Sequence, residues 1–494
     1  MAGPEPVDVI VAGGGPVGLL AAAELARFGA RVTVVEPLER VSRRPKAGTV
    51  HARAVQSLVR RGYLDGVAGL WEGPDPAPFH YAGLPVLRIA VPPGEPVAIL
   101  KRSQADLEDE FEARLRERGG VLLRGHRVVA LEQSGDGVRV VVRGPGGDRV
   151  LRSAYLVGAD GARGVVRDLA GITADVSPPT VSAMMGLVRS VTPDVLPRGW
   201  HRTPRGWTVV RAAGEDALLI RTLETSGPPP QGRETPPDAA ELEAQLGRIT
   251  GTRVRLGDAP YVSRFSDVTR VADHYRRGRV LLAGDAAHLH FPIGGQGLSA
   301  GVLDALNLAW KLARVVAGAA PGELLDTYEA ERRPAALHVV EYTRAQLGLM
   351  REGREQLALC GQFTELMAVP EAQAQVAGRI SGQDLVCPPR CGRPCGAEGV
   401  FWPERRLTVC HEDGSRTTTT VAGLLRSGGP VLIEGEGTWG TGAQAKRWPD
   451  VRTVRVATPL DTGALVLRPD GHVAWTPECG ELDAALERWF GPPG

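Results

Sequence analysis

Apolar residues along this 494-residue chain fall first into short continuous blocks. Val9-Ile10-Val11-Ala12, Tyr155 to Ala159 and Arg279 to Ala283 each read as a strand buried on both faces of a parallel sheet. The first block passes through glycines into an alanine-rich helix, Leu19 to Arg27. Gly29 closes that helix, and Arg31 to Val35 resume as a strand that delivers Glu36. After the second block Asp160-Gly161 turns and Val165-Val166-Arg167 starts a helix. After the third, Leu298, Val302, Leu306 and Ala309 share one face of a helix expected from about Leu298 to Val316. From about Val176 to Val271 the pattern changes to strands such as "GWTVVRAA" and "DALLIRTLE", joined by turns like Gly214-Glu215-Asp216, with a Pro-rich loop "ETSGPPPQGRETPPD". The last hundred residues carry "GPVLIEGEG", "VRTVRVATPL" and "ALVLRPDGHVAW", then a helix from Gly480 to Phe490.

The glycine turn carries the first chemistry. In Gly13-x-Gly15-x-x-Gly18, Gly13 permits a tight turn, Gly15 lets a pyrophosphate approach the backbone, and Gly18 lets helix and strand pack closely. The helix N-terminus offers free N–H groups and a positive dipole end to phosphates. Strand, turn, helix and a second strand ending in an acid form a dinucleotide-binding unit. Glu36 can accept both ribose hydroxyls and repels a 2′-phosphate, so the site suits NAD or FAD over NADP. Gly284-Asp285 falls at the carboxyl end of the third block, where a carboxylate can hold a polyol such as ribityl. The side-chain-poor loop Pro292-Ile293-Gly294-Gly295-Gln296-Gly297 lets a flat ring lie close, and the helix after it can stabilise negative charge on that ring.

Composition narrows the rest. The length suggests two or three domains. A formal charge of +1 argues against nucleic-acid and membrane-surface partners. Four of the 58 basic residues are lysines, so a single arginine carries little weight as a signal. The opening apolar run lacks a basic flank and is broken by glycines, unlike a signal peptide. Six cysteines do not make a disulfide framework, and a cytoplasmic, reduced protein is expected.

The three motifs, in this order and spacing, resemble the single-component FAD-dependent aromatic monooxygenases typified by para-hydroxybenzoate hydroxylase. Within that group the chain is most similar to the hydroxylases that tailor aromatic polyketides. The resemblance covers nearly the whole length and implies an α/β fold: a Rossmann-like FAD-binding domain (1–175 and 272–384), an inserted β-rich substrate domain (176–271) and a C-terminal thioredoxin-like domain (385–494). It assigns Gly13, Gly15, Pro16, Val17, Gly18 and Glu36 to the adenosine half of FAD, and Asp285 to the ribityl chain. Asp160 and Gly161 match the motif linked to both FAD and NADPH. "SRRPKAGTVHARAV" brings Arg44, Lys46 and Ala47 to the cofactor, and "RSQADLEDEF" brings Gln104 to the flavin. Pro292, Gly294, Gly295, Gly297 and Leu298 lie near the ring, and "LLDTYEAERRPAA" matches the helix after the third motif. Lys46, Gly164 and Ser299 depart from the usual arginine, serine and asparagine.

The implied reaction reduces FAD with NADPH or NADH, adds O₂ to give a C4a-hydroperoxide, and hydroxylates a polycyclic aromatic, polyketide-like substrate. Baeyer–Villiger oxidation, epoxidation or ring rearrangement would use the same oxygen. A non-oxygenating flavin reductase or flavin-binding partner would share the fold. Substrate, oligomeric state and catalytic side chains stay open. Met184, Met185, Trp200, Trp207 and Phe265 are candidates, as a group, for an aromatic pocket. His288 and His290 read as packing or loop residues rather than metal ligands. Cys387, Cys391 and Cys395, with Cys410-His411, have a permissible zinc spacing, but Pro388, Pro389 and Pro394 exclude a helix and no metal is expected. No C-x-x-C occurs in the C-terminal segment, so redox work there is not expected.

Overall fold

The structure is a computed structural model that describes residues 7–73, 75–192, 196–214, 216–228, 235–390 and 395–493. At its centre the strand Val7–Ala12 pairs in parallel with Val32–Glu36 on one side and Gly147–Gly158 on the other. Val121–Arg124 extends the first side and Val280–Leu282 the second, both in parallel. Residues Val9, Ile10, Val11 and Val34 are fully buried, as a sheet covered on both faces requires.

The helix Pro16–Arg27 begins three residues earlier than its apolar pattern suggested, because proline is preorganised for the first helical position. A Cβ on Gly18 would sit 2.0 Å from the Gly13 carbonyl oxygen, so only glycine lets this helix leave the strand so tightly. The helix Gly297–Val316 packs across it, and a Cβ on Gly301 would stand 2.5 Å from Val17. Each fully buried Val, Leu or Ile in this core contributes about 1.5–3 kcal/mol relative to an exposed one.

A second, antiparallel sheet runs in the order Gly199–Thr203, Gly206–Ala212, Leu218–Glu224, Ser182–Val188, Tyr261–Phe265. Met184, Val188, Val210 and Ile220 project from one face onto the helix Ala239–Thr250 through Leu242 and Leu246. That helix was not anticipated within the strand-rich segment. Its signals are present all the same: Asp238 caps it by accepting from Glu241 N at 2.9 Å, and Leu242, Leu246 and Ile249 share its buried side. The other sheet face, carrying Ala183, Trp207 and Leu223, packs with the hairpin Ala77–Tyr81/Leu84–Ile89 and the helices Asp326–Met350 and Pro370–Ser381.

Toward the C-terminus a four-stranded mixed sheet runs in the order Arg452–Arg455, Val431–Glu434, Ala464–Leu467, Val473–Trp475. The helix Leu482–Phe490 covers it, two residues shorter at its start than expected. Trp310 of the helix Gly297–Val316 and Leu324, just before the helix Asp326–Met350, complete its core with Trp489 and Phe490. The architecture is therefore the α/β class expected, with an antiparallel layer inserted and a thioredoxin-like unit docked at the end.

Candidate active site

Three sequence motifs meet at the carboxyl edge of the parallel sheet. Gly13 N donates to Val35 O at 2.8 Å, Ala159 N to Ala12 O at 2.8 Å, and Ala283 N to Gly158 O at 3.0 Å. Strand register thus lays the glycine turn, Asp160-Gly161 and Gly284-Asp285 side by side. Gly13 has φ +106° and lies so close to Ala159 that a Cβ would meet its carbonyl oxygen at 2.2 Å. A Cβ on Gly15, by contrast, would meet nothing within 4 Å. The helix start is therefore open, with first-turn amides that have no acceptor inside the helix. Glu36 is buried, its two oxygens accepting from Gly14 N at 2.6 Å and Leu38 N at 2.8 Å. Each oxygen retains acceptor capacity for a hydroxyl.

Asp160 accepts from Val165 N at 2.7 Å and Val166 N at 3.0 Å through one oxygen. Its other oxygen is buried without a partner, and burial raises its pKa. With glycine at position 164, where the resemblance expects serine, that oxygen packs against the backbone, 2.1 Å from where a Cβ would stand. Arg270 donates to Ala162 O and lies close enough to feel the charges of both Asp160 and Asp285. Asp285 itself is exposed at the strand end. Its neighbour Gly284 donates to buried Asp304, which also accepts from His288 Nε2 at 2.6 Å and Arg332 Nε at 2.8 Å. Burial opposes ionisation of Asp304, but His288 and Arg332 hold it down to about 2. This buried carboxylate fastens the Gly284-Asp285 turn to the helix Gly297–Val316.

The loop before that helix turns through two consecutive left-handed glycines, Gly294 at φ +76° and Gly295 at φ +66°. His51 Nε2 lies 2.7 Å from Gly294 O, and His51 N donates to Ser299 Oγ at 2.9 Å. Thr49 lies beneath Gly295, 3.5 Å from where a Cβ would stand, and accepts from Lys101 Nζ at 2.9 Å. Burial keeps His51 neutral, lowering its pKa to about 4.

A family model described as FAD binding domain matches residues 6–343, and one described as aromatic-ring hydroxylase, C-terminal, matches 397–493. The chain belongs to the FAD-dependent aromatic-ring hydroxylases. It is 38% identical to the 12-dehydrotetracycline 5-monooxygenase/anhydrotetracycline 6-monooxygenase of Streptomyces rimosus over 98% of this chain and 99% of that one. It is 36% identical to the dialkyldecalin synthase of Streptomyces rugosporus over 98% of this chain and 99% of that one. Among solved structures, CabE, an aromatic hydroxylase from angucycline biosynthesis, superposes with a TM-score of 0.90 at 33% identity, covering 99% of this chain and all of that one. FAD is the cofactor of this monooxygenase family, and the open cradle at Gly15 and the buried acid Glu36 fit its adenosine half.

Within this hydroxylase the expected residues fall into distinct places. Gln104 N donates to Ala47 O at 3.0 Å, but the Gln104 side chain donates to Glu108 at 2.7 Å and so helps fix its own helix. Lys46 is near enough to Glu108 to draw its pKa down against burial, which raises it. Arg44 instead lies over the Tyr261 ring at 5.6 Å, tying the loop to the antiparallel sheet. Met184 and Met185 cannot line one pocket. Met185 pairs with Arg221 and Ser263 on the inner face, and Met184 packs in the core under the helix Ala239–Thr250, because adjacent strand residues point oppositely. His288 stacks on Tyr275 and bonds Asp304, and His290 Nδ1 lies 2.9 Å from Phe291 O, so both are packing residues.

Cys387 is buried, with its thiol pushed up to about 12, and Cys391 lies outside the described residues. Cys395 meets Cys479 and Glu398 rather than Cys387 or Cys410. A groove of about 680 Å³, lined by His274, Arg276, Glu323, Asp326, Glu329 and Arg333, holds paired charges and none of the glycine motifs. Among the described residues, no helix is long and apolar enough to cross a membrane.

Several cleft residues escaped sequence reasoning: Thr49, His51, His80, Lys101, Arg211 and Arg221. For Lys101 a signal existed, since a lysine stands out in a chain with four of them.

Proposed function

We propose that this hydroxylase uses NAD(P)H and O₂ to hydroxylate a polycyclic, polyketide-like aromatic held between the antiparallel sheet and the loop Pro292–Gly297. The observation that carries it is the convergence of three motifs on one sheet edge beside the glycine loop, with Phe265 of the antiparallel sheet's aromatic face stacked on Phe291 at 6.2 Å just before that loop. In this reading Gly13, Gly15, Pro16, Val17, Gly18 and Glu36 hold the adenosine half, with Lys46 and Ala47 beside it. Asp285 holds the ribityl chain, Asp160 and Gly161 brace the neighbouring edge, and Pro292, Gly294, Gly295, Gly297 and Leu298 lie along the ring. Arg44 bridges cofactor loop and substrate sheet, and Gln104 acts through the Ala47 backbone. The chain divides into an FAD-binding body (1–175 and 272–384), a substrate layer (176–271) and a C-terminal unit (385–494).

Bound FAD supplies acceptance of hydride from the nicotinamide and activation of oxygen. The chain's own residues do the rest. The N-terminus of the helix Gly297–Val316 stabilises negative charge beside the loop. His51 fixes the loop by its Gly294 bond and keeps Nδ1 free, and the aromatic face excludes water and orients a flat substrate. The similarity to a monooxygenase acting on anhydrotetracycline favours a tetracyclic substrate.

The likeness to a dialkyldecalin synthase favours one second reading, a cyclase that binds FAD without reducing it. Incubation with NADPH or NADH, ¹⁸O₂ and a tetracyclic phenol separates the two. Substrate-stimulated nicotinamide oxidation and one ¹⁸O atom in the product are expected. Product without ¹⁸O or nicotinamide oxidation would sink the hydroxylase reading and leave the cyclase.

A further inference from the structure

We propose that Lys101, Arg211 and Arg221 form an anion-receiving wall of the cleft that takes an ionised oxygen of the aromatic substrate, whether phenolate, enolate or carboxylate. The proposal rests on the hydroxylase reading above and names what selects its substrate.

Strand register builds the wall. Arg211 is opposite Leu219, and Val209 is opposite Arg221, so both arginines project from the face that carries Trp207 and Leu223. The reverse face is already covered by the helix Ala239–Thr250. Lys101 stands just past the short strand Ile99–Leu100, 5.9 Å from the centre of the Phe79 ring, and donates to Thr49 beneath the glycine loop. The three cations are mutual neighbours: Arg211 and Arg221 both act on Lys101, and Arg211 acts on Arg221 and on His80.

Among the described residues, none of the charged groups acting on Lys101, Arg221 or His80 is a carboxylate. Three of the most deeply buried arginines, by contrast, have carboxylate partners. Arg61 pairs with Glu24, Arg60 with Glu95, and Arg468 with Glu331 and Asp470. Like charges gathered in a cleft repel, and an anion placed between them removes that cost. A second observation points to a ligand. His51, only 1% exposed, has Nδ1 without a partner, an acceptor in the neutral ring that suits a hydroxyl of the same ligand, and Trp200 Nε1, a donor, is also buried without one. His80, stacked on Phe79 at 4.6 Å and tilted against Trp200 at 4.6 Å, adds aromatic surface for a flat ring. Burial, then the two guanidiniums, push Lys101 down to about 8, and burial with the neighbouring cations pushes His80 to about 3. The ammonium is therefore the group that gains most from an anion.

The test uses the oxidised FAD-loaded protein and two probes, alizarin, whose colour reports its ionisation, and its uncharged 1,2-dimethyl ether. The wild type should bind alizarin as the anion and at least about tenfold more tightly than the ether, the scale of one charge-assisted hydrogen bond. Lys101→Gln and Arg221→Gln should each weaken alizarin about tenfold and leave the ether unchanged, and Arg221→Lys should retain most of the affinity. FAD content and melting temperature report whether each variant is folded. Equal affinity for alizarin and ether, including no binding of either, overturns the wall. So does a rise in KM for NADPH but not NADH with alizarin binding unchanged, which would give these cations to the nicotinamide phosphate. Because this is equilibrium binding, retained anion preference without ¹⁸O transfer would uphold the wall while the hydroxylase reading fails.

Discussion

Two clusters of basic residues in this protein are built from the same side chains and have opposite fates. In one, Lys311 and Arg468 are fully buried with the side chains of Glu331 and Asp470, where the helices Gly297–Val316 and Asp326–Met350 meet the C-terminal unit, those acidic side chains being 1% and 4% exposed. Arg468 bonds both Glu331 oxygens at 2.9 and 2.8 Å, Lys311 reaches Glu331 at 2.9 Å, and Trp310 and Asn307 each donate to Asp470 at 3.2 Å. Burial opposes its ionisation, but Arg468 and Lys311 draw Glu331 down to about 2. In the other cluster Lys101 lies beside Arg211 and Arg221, and among the described residues no carboxylate acts on Lys101 or Arg221. Both lysines are lowered to about 8, and burial is the first cause in each. Lys101 is pushed further by two guanidiniums, whereas at Lys311 burial prevails against a carboxylate in contact. A satisfied network docks two parts of a protein. An unsatisfied one at a cleft awaits a ligand.

The largest expected effect breaks the paired cluster. Glu331→Gln leaves Arg468 and Lys311 buried beside a neutral amide and should cost about 3–5 kcal/mol in denaturant unfolding. Arg221→Gln should change stability by no more than about 0.5 kcal/mol; a loss as large as that of Glu331→Gln would mean the wall is structural. Next, alizarin at a hundred times its dissociation constant should stabilise the wild type by about 2.7 kcal/mol. At that same concentration the melting shift should shrink in Arg221→Gln.

Acylation of lysines at pH about 8 sharpens the contrast further. Lys101 has a side chain open to solvent although its ammonium is partly enclosed by its neighbours, and it is partly deprotonated there, so it should react early and be protected by alizarin. Lys311, 0% exposed, should stay unmodified until the chain unfolds. Peptide mass spectrometry reads both sites at once. The smallest effect is in the pH profile. Lys101 is held below its ordinary 10.5, so between about 8 and 10.5 the unfolded chain binds more protons than the folded one. Its contribution therefore raises stability as pH increases through that window, and Lys101→Met should flatten that part of the curve.

What could be read in advance was local in sequence. Gly13, Gly15 and Gly18 stand within six residues, and the strand and helix around them signal themselves by short-range periodicity. The Gly294-Gly295 loop and the helix it opens were legible for the same reason. The helix Ala239–Thr250 carried its cap and its spacing but was obscured by the strands around it. Met184 and Met185 were grouped by composition, and strand alternation separates them. Gln104 was placed near the flavin, and its amide turns out to be engaged by Glu108, one helical turn away.

The amino-acid sequence by itself therefore determined the dinucleotide turn, the strands that carry the three motifs and the family, because each depends on contacts between near neighbours along the chain. Tertiary structure alone decided which basic residues are neutralised and which are not. Lys101 meets Arg211 and Arg221 from more than a hundred residues away, and Glu331 meets Arg468 across 137. Charge pairing is a property of distance in space, and in a chain with 58 basic and 57 acidic residues composition cannot say which pairs will form.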